Sequence, residues 1–223
     1  MAVIEGVVGG LVESGAASAL PMHVLAKPQA YGTLGHYRWG ALSGLIPAAL
    51  AANSEILQFR WSDATRLCII NSIKISAAVS TTFFAAGVPL QISLTKATAW
   101  TAVGTGGTRP AVAATLKKRS SMGSSLLGAN DIGVATTAAL GAGTKTLEAT
   151  PMGVVVAAGP ITASLNGGII LPGTPLWDSN SADGEHPLLL VQNEGFAIRS
   201  IAVPATGTWM FAINIDWAEV TIF

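Results

Sequence analysis

Cysteine occurs once, at Cys68. A lone cysteine excludes an intrachain disulfide framework and a cysteine-based zinc cluster. Charge is scarce too: 11% of the 223 residues are Asp, Glu, Lys or Arg, against roughly 25% in an average soluble domain. Twelve bases balance twelve acids, so the global basicity that marks a dedicated nucleic-acid binder is missing. Half the chain is apolar, which excludes disorder, since disordered chains combine low hydrophobicity with high net charge. The start, Met1-Ala-Val-Ile-Glu5, has no positive n-region, and Glu5 and Glu13 interrupt its apolar stretch. That is a poor secretory signal. Two long uncharged runs, Ile75 to Thr95 and Ala149 to Trp177, contain hydroxyls, glycines and prolines that suit strands and turns better than spanning helices. The expectation is a soluble chain without a membrane partner.

What is present must cover a surface that charge does not. Serine and threonine, 37 residues together, supply part of it. Burial against partner subunits supplies the rest, because interface cores are depleted in charge. The length suits one large β domain with an appended arm. Residues 1–35 show neither a helical nor a strand period, which reads as an extended or loosely helical arm. Such an arm either frays or orders against a partner.

From residue 36 to 223 the period is two. Leu57, Phe59 and Trp61 share one face, with Gln58 and Arg60 on the other. Ile73, Ile75, Ala77 and Val79 alternate with Ser72, Lys74, Ser76 and Ala78, and Leu90, Ile92 and Leu94 with Gln91, Ser93 and Thr95. The clearest strand sets Trp209, Phe211, Ile213, Ile215 and Trp217 against Asn214 and Asp216. This alternation marks half-buried antiparallel strands. Pro187 to Val191 is a continuous apolar run and reads as a strand buried on both faces. Turn signals at Gly87, Gly104–Gly107, Gly141–Gly143, Asn166–Gly168, Asp183–Gly184 and Pro204–Gly207 separate the runs. The fold expected is all-β, an antiparallel β-sandwich or jelly roll with an N-terminal extended arm.

The zero net charge hides an uneven layout. Residues 64–130 hold seven bases and no acid, while residues 131–223 hold two bases and eight acids. Either the two segments present opposite faces and make the molecule dipolar, or their strands interleave and neutralise each other.

The candidate chemistry is thin. Lys117-Lys118-Arg119 is the one basic run, too short and too free of aromatics for a phosphate-binding surface, and it reads as a solvated loop. Gly141-Ala-Gly-Thr-Lys145 has the wrong spacing for a phosphate loop. Asp183-Gly-Glu185-His186, with Asp178 and Glu194 near in sequence, could form an acid–base or metal cluster, or simply a polar turn ahead of a strand. Cys68, flanked by Leu67 and Ile69, reads as a buried small hydrophobe. Trp61, Trp209 and Trp217 fall on the inward face, while Trp39, Trp100 and Trp177 lie near turns as potential contact residues. No residue is assigned as catalytic, cofactor-binding or metal-ligating, and the chain is read as non-enzymatic and without cofactors.

Gly184-Glu-His-Pro-Leu-Leu-Leu-Val-Gln-Asn-Glu-Gly-Phe-Ala-Ile-Arg199, Val203-Pro-Ala-Thr-Gly-Thr-Trp209, Asp216-Trp-Ala-Glu219, Gly35-His-Tyr-Arg38 and Leu116-Lys-Lys-Arg-Ser-Ser-Met-Gly123 together resemble virion structural proteins of tailed bacteriophages. The resemblance spans most of residues 35–219 and implies a non-enzymatic, symmetric building block of the head, of decoration or cement type. It implies self-association, with a trimer as the preferred unit, contact with the major capsid protein or neighbouring virion proteins, and assembly into the virion in the bacterial host cytoplasm. It supplies no functional residues. Two rivals differ in what they expect. A receptor- or glycan-binding module of a tail or appendage expects exposed tryptophans lining a pocket. A cell-wall hydrolase expects Glu185 and His186 to face a cleft with another carboxylate.

Overall fold

The computed structural model describes residues 3–5, 11–13, 35–47, 50–79, 89–110, 116–157, 168–179, 186–202 and 207–221. The turn signals at Gly87, Asn166, Asp183 and Pro204, the candidates Asp183 and Glu185, and residues 14–34 of the arm lie outside them.

Among the described residues the strands, in chain order, are β1 (Val3–Glu5), β2 (Leu11–Glu13), β3 (His36–Leu42), β4 (Ile46–Pro47), β5 (Ser54–Trp61), β6 (Leu67–Val79) and β7 (Leu90–Ala102). They continue with β8 (Ile132–Val134), β9 (Thr144–Leu147), β10 (Gly153–Ala157), β11 (Gly168–Asp178), β12 (Leu188–Leu190), β13 (Glu194–Ala202) and β14 (Thr208–Val220). The first large sheet runs β11-β6-β14-β3, with β12 pairing β6 and β4 pairing β14. The second runs β10-β7-β13-β5-β8, with β9 pairing β7. All pairings are antiparallel. The two sheets face each other as the β-sandwich that the alternating pattern implies.

The pairings are nested. β3 pairs β14, β5 pairs β13, β6 pairs β11 and β7 pairs β10. The chain is therefore one long antiparallel hairpin, doubled back between β7 and β10, which share a sheet, and rolled so that the strands along each of its two arms alternate between sheets. This winding of eight strands is the jelly roll. Its centre strands, β14 and β13, are the last two made.

Between the sheets lies an aromatic and aliphatic core. Phe59 of β5 stacks on Phe196 of β13 with ring centroids 4.9 Å apart, and the edge of Trp217 meets Phe59 at 5.7 Å. Trp217 also stacks on Tyr37. Trp61, Trp209 and Trp217 are fully buried, as their alternation indicates. The excursion between β7 and β10 adds to this core through Leu127, Ile132, Val134 and Leu140. It is clamped by β8 and β9 and by isolated bridges Thr108↔Val134 and Glu55↔Leu140. Gly104 permits the clamp to close, since a Cβ there would run into the carbonyl oxygen of Gly141.

One reading changes. The Pro187–Val191 run is a three-residue strand that, among the described residues, pairs with β6 alone, at Leu188↔Ile70 to Leu190↔Cys68, and Val191 is exposed. Continuous apolarity arises here because Leu189 packs in a small second cluster with Ile69 and Ala218. The arm contains an antiparallel pair, β1–β2, with register Val3↔Glu13 to Glu5↔Leu11. Strands of three residues are too short for a period to show. β6 runs from Leu67 to Val79, and a register shift opposite Asp216 and Trp217 interrupts its alternation.

Candidate functional site

An antiparallel sheet with one solvated face normally turns polar side chains outward. The first sheet departs from that. Outward positions of β14 are Met210, Ala212, Asn214 and Asp216, those of β6 include Lys74, Ser76 and Ala78, and those of β3 are Arg38, Gly40 and Leu42. Register puts Leu42, Ala212 and Ser76 in one row, Gly40, Asn214 and Lys74 in the next, and Arg38, Asp216 and Ser72 in the last. Small side chains such as Gly40, Ser76 and Ala212 leave a trough along β14 made of two separate hollows that share no lining residue. From Met210 to Asp216 it runs roughly 20 Å at ~3.3 Å per residue.

The trough has two ends of different character. One is an apolar groove of about 290 Å³ lined by Leu42, Ala78, Pro172, Met210 and Ala212, among others. Leu42 is 73% exposed and Met210 38%. The other, of about 400 Å³, is lined by Arg38, Gly40, Leu116, Asn214 and Asp216. A contiguous apolar stretch on a surface marks an interaction site more often than a solvated face.

At the charged end, the basic run is the solvated loop expected, with Lys118 and Arg119 exposed, and it is tied to the start of β3. Lys117 bridges Tyr37, the Lys118 amide donates to the His36 carbonyl at 2.9 Å, and Lys118 Nζ lies 3.1 Å from Asp216 Oδ1. Burial lowers the pKa of His36, helped by Lys118 and opposed by Asp216. Lys96 pairs with Glu194 at 3.4 Å. Both ion pairs join the acid-free segment to the acid-rich one. The rolled topology interleaves these segments, and these two pairs join opposite charges across them.

Two polar nodes are buried. In the first, Lys145 Nζ lies 2.8 Å from Glu55 Oε2, and Gln58 Nε2 donates to the same oxygen at 2.6 Å. Arg109 closes it by donating to Gln58 Oε1 at 3.0 Å and to the Gly104 carbonyl at 2.7 Å. Lys145 of the would-be phosphate loop is thus a structural cation. In the second, Glu219, fully buried, accepts from Ser125 Oγ at 2.6 Å, from the Leu126 amide and from Trp217 Nε1 at 3.1 Å. Burial raises its pKa more than these hydrogen bonds lower it. Burial and Glu219 together push the Tyr37 hydroxyl up to about 12.

A raised carboxyl pKa means that the folded chain holds the Glu219 proton more tightly than the unfolded one. Its contribution is complete below the unfolded value near 4.5 and is lost as pH rises through the higher folded value. Glu219→Gln removes that loss. Denaturation from pH 4 to 7 should show the variant gaining stability relative to the parent as pH rises; a relative decline would refute the assignment.

The remaining candidates disperse. His186 is exposed, with Nδ1 2.8 Å from the Pro187 carbonyl oxygen, while Glu194 of β13 pairs with Lys96 of β7. Among the described residues no three His, Cys, Asp or Glu side chains gather to hold a metal ion. Cys68 is fully buried and its thiol pKa lies well above the usual value, through burial first and Glu219 second. Trp39 and Trp100 are buried, not exposed near turns: Trp39 points into the core and Trp100 lies under Lys145, 4.6 Å from its ring centroid. Trp177 is half-buried and donates to the Ile70 carbonyl at 3.2 Å. No described helix is long and apolar enough to cross a membrane.

The trough was not visible in the sequence. An outward Ala or Met does not break an alternating pattern, so the one available signal was Met210 and Ala212 preceding Asn214 and Asp216 on the same face. No protein-family profile, curated protein or solved structure matches the chain.

Proposed function

We propose that the chain is a non-enzymatic structural subunit of a tailed-bacteriophage virion, a head decoration or cement protein that bridges capsid subunits. The observation that carries this reading is the exposed apolar trough on a sandwich with few surface charges. A face of that kind gains by being covered, and covering it needs a neighbour. The jelly-roll winding is in keeping, since viral capsid and lectin domains use it, although a fold alone selects no function. Each copy would add an interface of about 1,200–2,000 Å² and so hold neighbouring subunits against the outward pressure of packaged DNA. A closed symmetric unit, a trimer, suits such a lattice. A glycan-binding role has less support, because five of the six tryptophans are buried.

Light scattering tests the reading directly. The purified chain should run at a multiple of 22.6 kDa, three copies in the preferred case, and should co-sediment saturably with capsid shells that lack it. A 22.6 kDa monomer that ignores such shells would overturn the proposal.

A further inference from the structure

We infer that β10 is the edge through which two copies of this chain join, Gly153–Ala157 of one lying antiparallel to the same five residues of the other. An edge strand presents a row of unpaired amides and carbonyls, and folds guard it with short length, charge, proline or bulges. Among the described residues, three of the four edges of the two large sheets are guarded in these ways. β11 breaks its ladder with three register shifts and carries exposed Pro172 and Pro175. β3 is covered at its start by Lys117 and Lys118 and exposes Arg38. β8 is three residues long and bridges Thr108 on its far side. The flanking segments β4, β9 and β12 run only two to four residues each.

β10 carries none of these guards. It reads Gly-Val-Val-Val-Ala, and among the described residues it pairs with β7 alone. Val155 and Ala157 turn inward onto the core, while Val154 and Val156 face out, 51% and 59% exposed. No charge lies anywhere in Ala149–Trp177, so nothing in this stretch repels a copy of itself. The occupant follows from the same comparison of edges. A second copy offers one unguarded edge, so β10 meets β10, an isologous contact about a two-fold axis. Directly opposed residues share a face of the sheet, so outward valine must oppose outward valine. Of the registers that obey this, the one centred on Val155 pairs all five residues and sets Val154 of each copy opposite Val156 of the other. The two six-stranded sheets then run on as one. This goes beyond the virion reading, because a two-fold contact does not close a trimer but links one unit to the next.

Sedimentation velocity of the full-length chain tests the pairing. The parent's mass should double as concentration rises, from three copies to six if the trimer forms and from one to two if it does not. Val154→Lys with Val156→Lys puts lysine opposite lysine and should weaken that doubling at least about tenfold. Val154→Lys with Val156→Glu puts each lysine opposite the neighbour's glutamate, and should keep the doubling while making it weaken with salt. Both side chains face solvent, so the variants should keep the parent's circular dichroism. The one native cysteine is buried, so an equimolar mixture of Val154→Cys and Val156→Cys chains should oxidise to a mixed disulfide dimer faster than either chain alone. A parent mass that does not double, a Lys–Lys variant that doubles like the parent, or a Lys–Glu variant that fails as the Lys–Lys one does would overturn the edge pairing. Binding to capsid shells reads the virion proposal separately, and none of these outcomes decides it.

Discussion

Lys145→Ala should cost about 3–5 kcal/mol of folding stability, the range for removing one partner of a buried ion pair. The side chains of Lys145 and Glu55 are 2% and 6% exposed, and they meet at 2.8 Å. Nζ also donates to the Ala142 carbonyl and sits over the Trp100 ring. Without the ammonium, Glu55 keeps one donor, Gln58 Nε2 at 2.6 Å, for a charge that water no longer reaches. That uncompensated carboxylate is the main source of the loss. Replacing both partners, Glu55→Leu with Lys145→Met, should therefore be far milder than Lys145→Ala alone, because the buried charge goes with its partner. Urea denaturation of the three chains measures the difference. A loss under about 1 kcal/mol for Lys145→Ala would put the pair in the class of exposed bridges.

Trp217→Ala should cost a similar ~3–5 kcal/mol, by removing the ring on which the two sheets meet. Trp217 is fully buried, stacks on Tyr37 with centroids 5.6 Å apart and meets Phe59 edge-on. A buried aromatic of this size hides about 150–250 Å². At about 25 cal/mol per Å² that area accounts for most of the loss. The indole nitrogen adds a second effect, since it donates to Glu219 Oε1 at 3.1 Å. Trp217→Phe separates the two: it keeps most of the packing and loses the donor. Equilibrium denaturation should rank the parent above the Phe variant and the Phe variant well above Ala. Equal losses in the two variants would assign the effect to the hydrogen bond instead.

Much of the sandwich could be read from the chain because its strands are solvated on one side. Leu57, Phe59 and Trp61, or Phe211 to Trp217, declare their faces at a period of two. The reading fails where that physical cause is absent. Ile132, Gly133 and Val134 of β8 are all buried, so they carry no alternation, and β9 and β12 are too short to show one. The buried node was illegible for another reason: Glu55 and Lys145 are separated by 90 positions, and only the closing of the β7–β10 excursion brings them together. Trp39 and Trp100 look like contact residues beside turns, yet Trp39 points into the core and Trp100 lies under Lys145 of β9. Which outward residues matter is likewise decided by rows across strands, and a row cannot be seen along a single strand.

The nesting of the strands has a consequence for synthesis. β14 lies between β6 and β3, and β13 between β7 and β5, so residues 194–220 provide the middle of both sheets. An emerging chain has neither sheet joined until its C-terminal segment has left the ribosome. Until then β3, β5, β6 and β7 present open edges, the condition in which strands pair wrongly with other chains. Closure then requires contacts between residues as far apart as His36 and Ala218, a topology that folds slowly for its size. A subunit truncated even shortly before Thr208 lacks the strand that carries half of the trough. The order of synthesis thereby sets the order of folding: the outward face along β14 exists only once Thr208–Val220 has been made.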